Sequence, residues 1–159
     1  MTSHATDSLV PQTYRLIDEH FAHFIASFSG EQRELVLLLA AETSFQLSRG
    51  QICLDLSQLS EHSPLRKYAT SHFGCSNGDS FDLAALRTQI LRHPAVCEAT
   101  EGDPKLTGYL VVSGNKVYLT RYFRYERFAL EKIGLRLAAA GASEDCPIAP
   151  QALQSIFDG

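Results

Sequence analysis

The stretch from Tyr109 to Arg127 constrains this chain more than any other. Tyr109-Leu110-Val111-Val112 and Val117-Tyr118-Leu119 are two strand-forming runs flanking Ser113-Gly114-Asn115-Lys116. A two-residue loop at Gly114-Asn115 is expected, because Gly and Asn both tolerate φ > 0. That loop fixes the register: Val112 opposite Val117 and Leu110 opposite Leu119 on one face, Val111 opposite Tyr118 on the other. The second strand runs straight into a basic, aromatic segment, and a helix is predicted from about Arg121 to Ala140, closed by Gly141.

The rest of the chain reads as mainly helical. A first helix is predicted over Pro11–Phe28, with Leu16, Ile17, Phe21, Phe24, Ile25 and Phe28 recurring at helical spacing. Ser29 with Gln32 resembles a capping box opening a second helix, and Gly50 closes it. Leu35 to Ala41 is apolar nearly all round, which predicts a helix buried at the centre of the domain. Ile52–Leu56 alternates and reads as a short strand. Ser63-Pro64 opens a helix over about Leu65–His72, and Asp79 or Ser80 opens another over Phe81–Arg92, with Leu83, Leu86, Ile90 and Leu91 inward. Glu98–Thr107 reads as an acidic, turn-rich connection. The expected class is therefore α+β, mainly helical. It has about five helices and a small antiparallel sheet made of the hairpin 109–120 and the strand 52–56. The order fits a winged helix, and equally a helical bundle with a small sheet on one side.

At 159 residues the chain is expected to form one domain over 11–141, after a disordered polar arm at 1–10 and before a linker at 142–159. A net charge of −4 argues against a domain built mainly to hold nucleic acid, though not against a local basic patch. The four cysteines, Cys53, Cys75, Cys97 and Cys146, show no C-x-x-C or zinc spacing. No apolar run is long enough for a membrane span, and the cytoplasm is the expected compartment. No stretch matches G-x-x-x-x-G-K-[ST], so nucleotide phosphates are not cradled here by that loop. Asp55, Ser57, Ser60, Glu61, His62 and Ser63 cluster in sequence, yet a catalytic triad is defined by geometry and not by proximity in sequence. His20 and His23 could share a metal at i, i+3, but no third ligand is evident. The residues therefore predict no catalytic, cofactor or metal site.

The last helix holds the functional candidates. Ala129, Leu130, Ile133 and Leu137 are expected to face inward, leaving Arg124, Tyr125, Arg127 and Phe128 for contact with a partner. Such a face fits three readings: a solvated surface, a protein interface, or a DNA contact in which aromatics stack on bases and Arg meets phosphate.

Two blocks carry a family resemblance. Gly50-x-Ile52-Cys53-Leu54-x-Leu56-Ser57-x-Leu59 is followed some fifty residues later by Gly114-x-x-Val117-Tyr118-Leu119-x-Arg121-x-x-x-x-Glu126. Together they resemble the N-terminal domain of the exodeoxyribonuclease V alpha subunit, the RecD helicase chain of the RecBCD complex. Leu54, Leu56, Tyr118, Leu119, Arg121 and Glu126 are the positions carried over, as structural residues. The resemblance implies a non-catalytic domain that docks onto the gamma (RecC) subunit, in a heterotrimer with the beta (RecB) subunit. That complex acts on DNA in double-strand-break repair and recombination. ATP and magnesium are then expected only in a helicase core beyond Gly159, and the chain is expected to be an expressed domain or a truncated gene product. An apolar docking surface left bare also predicts weak self-association. The rival reading is a winged-helix-like DNA-binding module with Ser113–Lys116 as its wing tip.

Overall fold

A computed structural model describes residues 14–28, 30–75, 80–99 and 106–141. The arm expected at 1–10, the capping residue Ser29, the expected cap Asp79 and the linker at 142–159 lie outside the described residues. Two compact units are distinguished, 1–123 and 124–159. The first contains the sheet and the core. The described part of the second is the remainder of the last helix.

Helices α1 (Leu16–Ala26) and α2 (Arg33–Ser48) form the helical pair of the first unit. α2 is buried on all sides from Leu35 to Thr43, as its apolar run predicts. It ends in a Schellman motif. Gly50 takes φ +83°, its N–H donates to the Leu47 carbonyl at 3.0 Å, and the Gln51 N–H reaches the Gln46 carbonyl at 3.1 Å. Its start differs from the capping box read in the sequence. Gln32 sits at the N-cap in the left-handed region, φ 64°, and makes no side-chain cap. Just before it, Gly30 packs closely on Pro94: a Cβ there would stand 2.6 Å from Pro94 Cδ.

α1 turns a different face inward from the one its large apolar residues suggest. Asp18, Ala22, Ile25 and Ala26 are buried, whereas Leu16, Ile17 and Phe24 are exposed. Small side chains let α1 approach α2 closely, and the buried Asp18 is compensated. Its carboxylate accepts from Ser44 Oγ at 2.6 Å, Arg15 Nε at 3.1 Å and the Arg15 backbone N–H at 3.1 Å. Burial alone would raise the Asp18 pKa, but these donors outweigh it and hold the carboxyl below the usual range. Glu42 is the second buried carboxylate. It accepts from Tyr14 Oη at 2.5 Å, Ser63 Oγ at 2.9 Å and Gln46 Nε2 at 3.1 Å. Burial first, then the bond to Glu42, pushes the Tyr14 hydroxyl far above its ordinary value, so it stays a donor.

Next come β1 (Leu54–Asp55), a 3₁₀ turn over Leu56–Gln58, α3 (Pro64–Phe73) and α4 (Leu83–Ile90). Ser63 caps α3, accepting from the Arg66 N–H at 3.4 Å with Pro64 in the first turn. The α4 cap is Asp82, whose Oδ1 accepts from the Ala84 and Ala85 N–H groups at 2.8 and 3.1 Å. It replaces the Asp79 or Ser80 expected from sequence. β2 (Val96–Glu98), β3 (Leu110–Ser113), β4 (Lys116–Leu119) and α5 (Thr120–Gly141) complete the described chain.

The hairpin register is the one its turn dictates: Leu110 pairs with Leu119, Val111 with Tyr118 and Val112 with Val117. Gly114 alone in the turn has positive φ, +58°, the pattern of a II′ loop with Gly first. The sheet is four-stranded and mixed, in the order β1-β4-β3-β2, and not wholly antiparallel. β1 joins β4 antiparallel, while β2, which no predicted strand covered, runs parallel to β3. Gly108 permits this pairing. A Cβ there would lie 2.8 Å from the Ala95 carbonyl oxygen and 2.9 Å from the Cys97 nitrogen. The class remains α+β and mainly helical, and β1, α3, α4 and the hairpin keep the winged-helix order. Alternation puts Leu110, Val112 and Val117 into the main core, and Val111 and Tyr118 into a smaller cluster with Phe123.

Candidate functional site

The site expected from sequence lies on α5, so the way α5 begins matters most. No loop separates it from β4. Thr120 fastens the junction: its Oγ1 donates to the Gly108 carbonyl at 2.6 Å and its N–H to the Tyr109 carbonyl at 3.0 Å. Phe123, one turn on, is buried edge-on against Tyr118, with ring centroids 5.3 Å apart. Packing of that kind contributes about 1 kcal/mol beyond the buried area.

The matched structural positions divide by environment. Leu54, Leu56 and Tyr118 are buried, and Leu119 is half-buried against the core. Arg121 is exposed, with its guanidinium 4.8 Å from the Tyr122 ring centroid and Nη2 3.2 Å from the Tyr122 hydroxyl. It lies over an aromatic ring and forms none of the ion pairs found among the described residues. Glu126 is half-buried, and its Oε2 is buried without a hydrogen-bond partner.

The candidate contact residues Arg124, Tyr125, Arg127 and Phe128 are all exposed, Tyr125 by 67% and Phe128 by 60%. Lys132 Nζ lies 5.1 Å from the Phe128 ring centroid. The stripe expected to face inward is exposed. Leu130, Ile133 and Leu137 are 61%, 53% and 68% exposed, and Ala129 is exposed too. Periodicity identifies a stripe that wants cover, but it cannot say whether the chain supplies that cover.

One partly exposed cluster is not evident in the sequence. Phe24, Phe28 and Tyr109 meet with centroids 4.9–5.3 Å apart, joining α1 to the residue before β3. The helical spacing of Phe24 and Phe28 was visible, but the arrival of Tyr109 depends on the fold.

The serine-rich cluster is used for local structure. Asp55 Oδ1 accepts from the Ser57 N–H at 2.9 Å and its hydroxyl at 2.5 Å, which keeps the Asp55 carboxyl below its usual range. Ser63 serves α3 and Glu42, and His62 is exposed. His20 and His23 are both exposed, and no group of three metal-binding side chains occurs among the described residues. No helix among them is long and apolar enough to cross a membrane.

The fold defines the class: an α+β domain, mainly helical, with a small mixed sheet. The particular family follows from comparison with known ones. Residues 12–118 match the family described as RecBCD enzyme subunit RecD, N-terminal domain, and the chain belongs to that family. No curated protein matches the chain.

Proposed function

We propose that this domain is the non-catalytic N-terminal docking module of a RecD-type 5′–3′ helicase subunit. It joins that subunit to the gamma (RecC) chain of exonuclease V, in a heterotrimer with the beta (RecB) chain. The complex works in the bacterial cytoplasm on DNA ends, in double-strand-break repair and recombination. ATP and magnesium belong to the helicase core of such a subunit. The family match over 12–118 carries this reading. The exposed face of Arg124, Tyr125, Arg127 and Phe128 supports it, since aromatic residues and arginine anchor protein interfaces.

A pull-down of the domain on purified gamma subunit tests it, with Arg124→Glu/Arg127→Glu as a paired variant. Stoichiometric capture at moderate salt is expected, weakened in the variant. A folded domain that fails to bind refutes the reading.

The winged-helix strand order favours a second reading, a DNA-binding module. Its weakness is charge: α4 offers Arg87, already bonded to Glu98 at 2.9 Å, and the hairpin turn offers Lys116. Several phosphate contacts would make DNA binding fall steeply with salt. Binding that is absent or salt-insensitive excludes this role.

A further inference from the structure

Residues 124–141 of α5 carry more exposed apolar surface than the arginine–aromatic face accounts for. Leu130, Ile133 and Leu137 form one stripe. At roughly 100° per residue, Phe128 and Leu135 lie about 140–160° around the helix from Leu130, almost opposite. All five are exposed. Arg124, Arg127 and Glu131 occupy one flank between the stripes, and Lys132 and Arg136 the other. A helix covered by a single surface needs one apolar face, and this helix has two. Its charge is lopsided as well. α5 holds five Arg or Lys and two Glu, a net +3 within a chain of net −4, so the other residues together carry −7.

Three kinds of cover can be compared. A second copy pairing helix to helix buries one seam, leaves the opposite stripe bare and sets +3 against +3. A lipid surface takes one apolar face and keeps the other side in water. A cleft with two apolar walls takes both stripes, and a carboxylate-rich rim meets Arg124, Arg127, Lys132 and Arg136. Its part from 124 to 141 has 18 residues, which at about 1.5 Å per residue reaches about 27 Å. That approaches the roughly 20–30 residues a side of a stable protein interface. Resting on the docking reading above, we infer that α5 lies in a protein partner's cleft with two apolar walls and an acidic rim, burying Leu130–Ile133–Leu137 and Phe128–Leu135 together.

Calorimetric titration of the purified gamma subunit with the full chain tests this. Two exposed pairs are changed separately, Leu130→Gln/Ile133→Gln and Phe128→Gln/Leu135→Gln. Glutamine keeps good helix propensity, and circular dichroism checks the fold. Each pair is expected to weaken binding by about tenfold or more, and wild-type affinity should fall as salt rises. If either pair binds like wild type, or salt has no effect, the two-walled acidic cleft is overturned while docking stands. If the folded wild-type chain does not bind at all, the docking reading fails and the cleft with it. A concentration-dependent dimer abolished by one pair alone would assign that stripe to a second copy and overturn the inference.

Discussion

Helices α2 and α5 are both rich in leucine, yet they meet opposite fates. In α2, Leu35 to Leu39 are all buried, and even Glu42 finds three donors. In α5, Leu130, Ile133, Leu135 and Leu137 are all exposed. The apolar residues of α2 are covered by the chain's own elements, so they serve stability. Those of α5 beyond Phe123 are exposed among the described residues, and under the docking reading they serve association. Apolar content alone does not distinguish the two roles.

The sharpest way to break this contrast is substitution in α2. Leu39→Ala should cost about 3 kcal/mol in urea denaturation, the sum of lost transfer energy and a residual cavity. A cost below about 1 kcal/mol would mean that α2 is not the centre of the core. Glu42→Ala comes next, at about 2 kcal/mol, because it leaves the Tyr14 and Ser63 hydroxyls without their buried acceptor. Glu42→Gln should recover part of that loss, and equal losses would show that the bonds contribute nothing.

A smaller effect follows from His93. It is fully buried, and its Nδ1 accepts from the Ala95 N–H at 3.3 Å. Nε2 is buried with no hydrogen-bond partner among the described residues. Burial holds the imidazole pKa below its ordinary 6.5. The unfolded chain therefore takes up the proton first. Stability is full above about pH 6.5 and falls as pH drops from there toward the folded value. Urea midpoints at pH 7.5 and 5.5 should differ, and His93→Gln should shrink the difference. Asp18 and Asp55, whose pKa values are lowered, add a further loss only below about pH 4. The smallest effect belongs to α5. Leu137→Ala should change stability by less than about 0.5 kcal/mol. A loss comparable to Leu39→Ala would show that the stripe is covered within the chain.

Much of the fold was legible because short-range chemistry dictates it. The hairpin register, the Gly50 terminus, the Ser63 cap and the burial of Leu35–Ala41 each depend on a few neighbouring residues. What stayed hidden depends on elements distant in sequence. β2 is three residues long, too short for periodicity, and exists because Gly108 lets β3 approach. α1 has two candidate faces, and contact with α2 selects the one with Asp18, Ala22 and Ala26. On α5, helical spacing made the exposure of Arg124, Tyr125, Arg127 and Phe128 legible, while Phe123 is buried against Tyr118. It could not tell that the Leu130 stripe, read as inward, is exposed.

The pairing of β1 with β4 also sets an order of events. Leu54 finds its partner in Val117, and Asp55 in Lys116. During synthesis α1 and α2 are available early and can associate through local contacts. The edge at Leu54 stays open until some sixty further residues have been made. Contacts so distant in sequence slow folding and expose unpaired edges on the way. The nascent chain therefore depends on its last strand to complete the sheet, and a chain ending before Lys116 would be left with a helical pair and an unclosed edge.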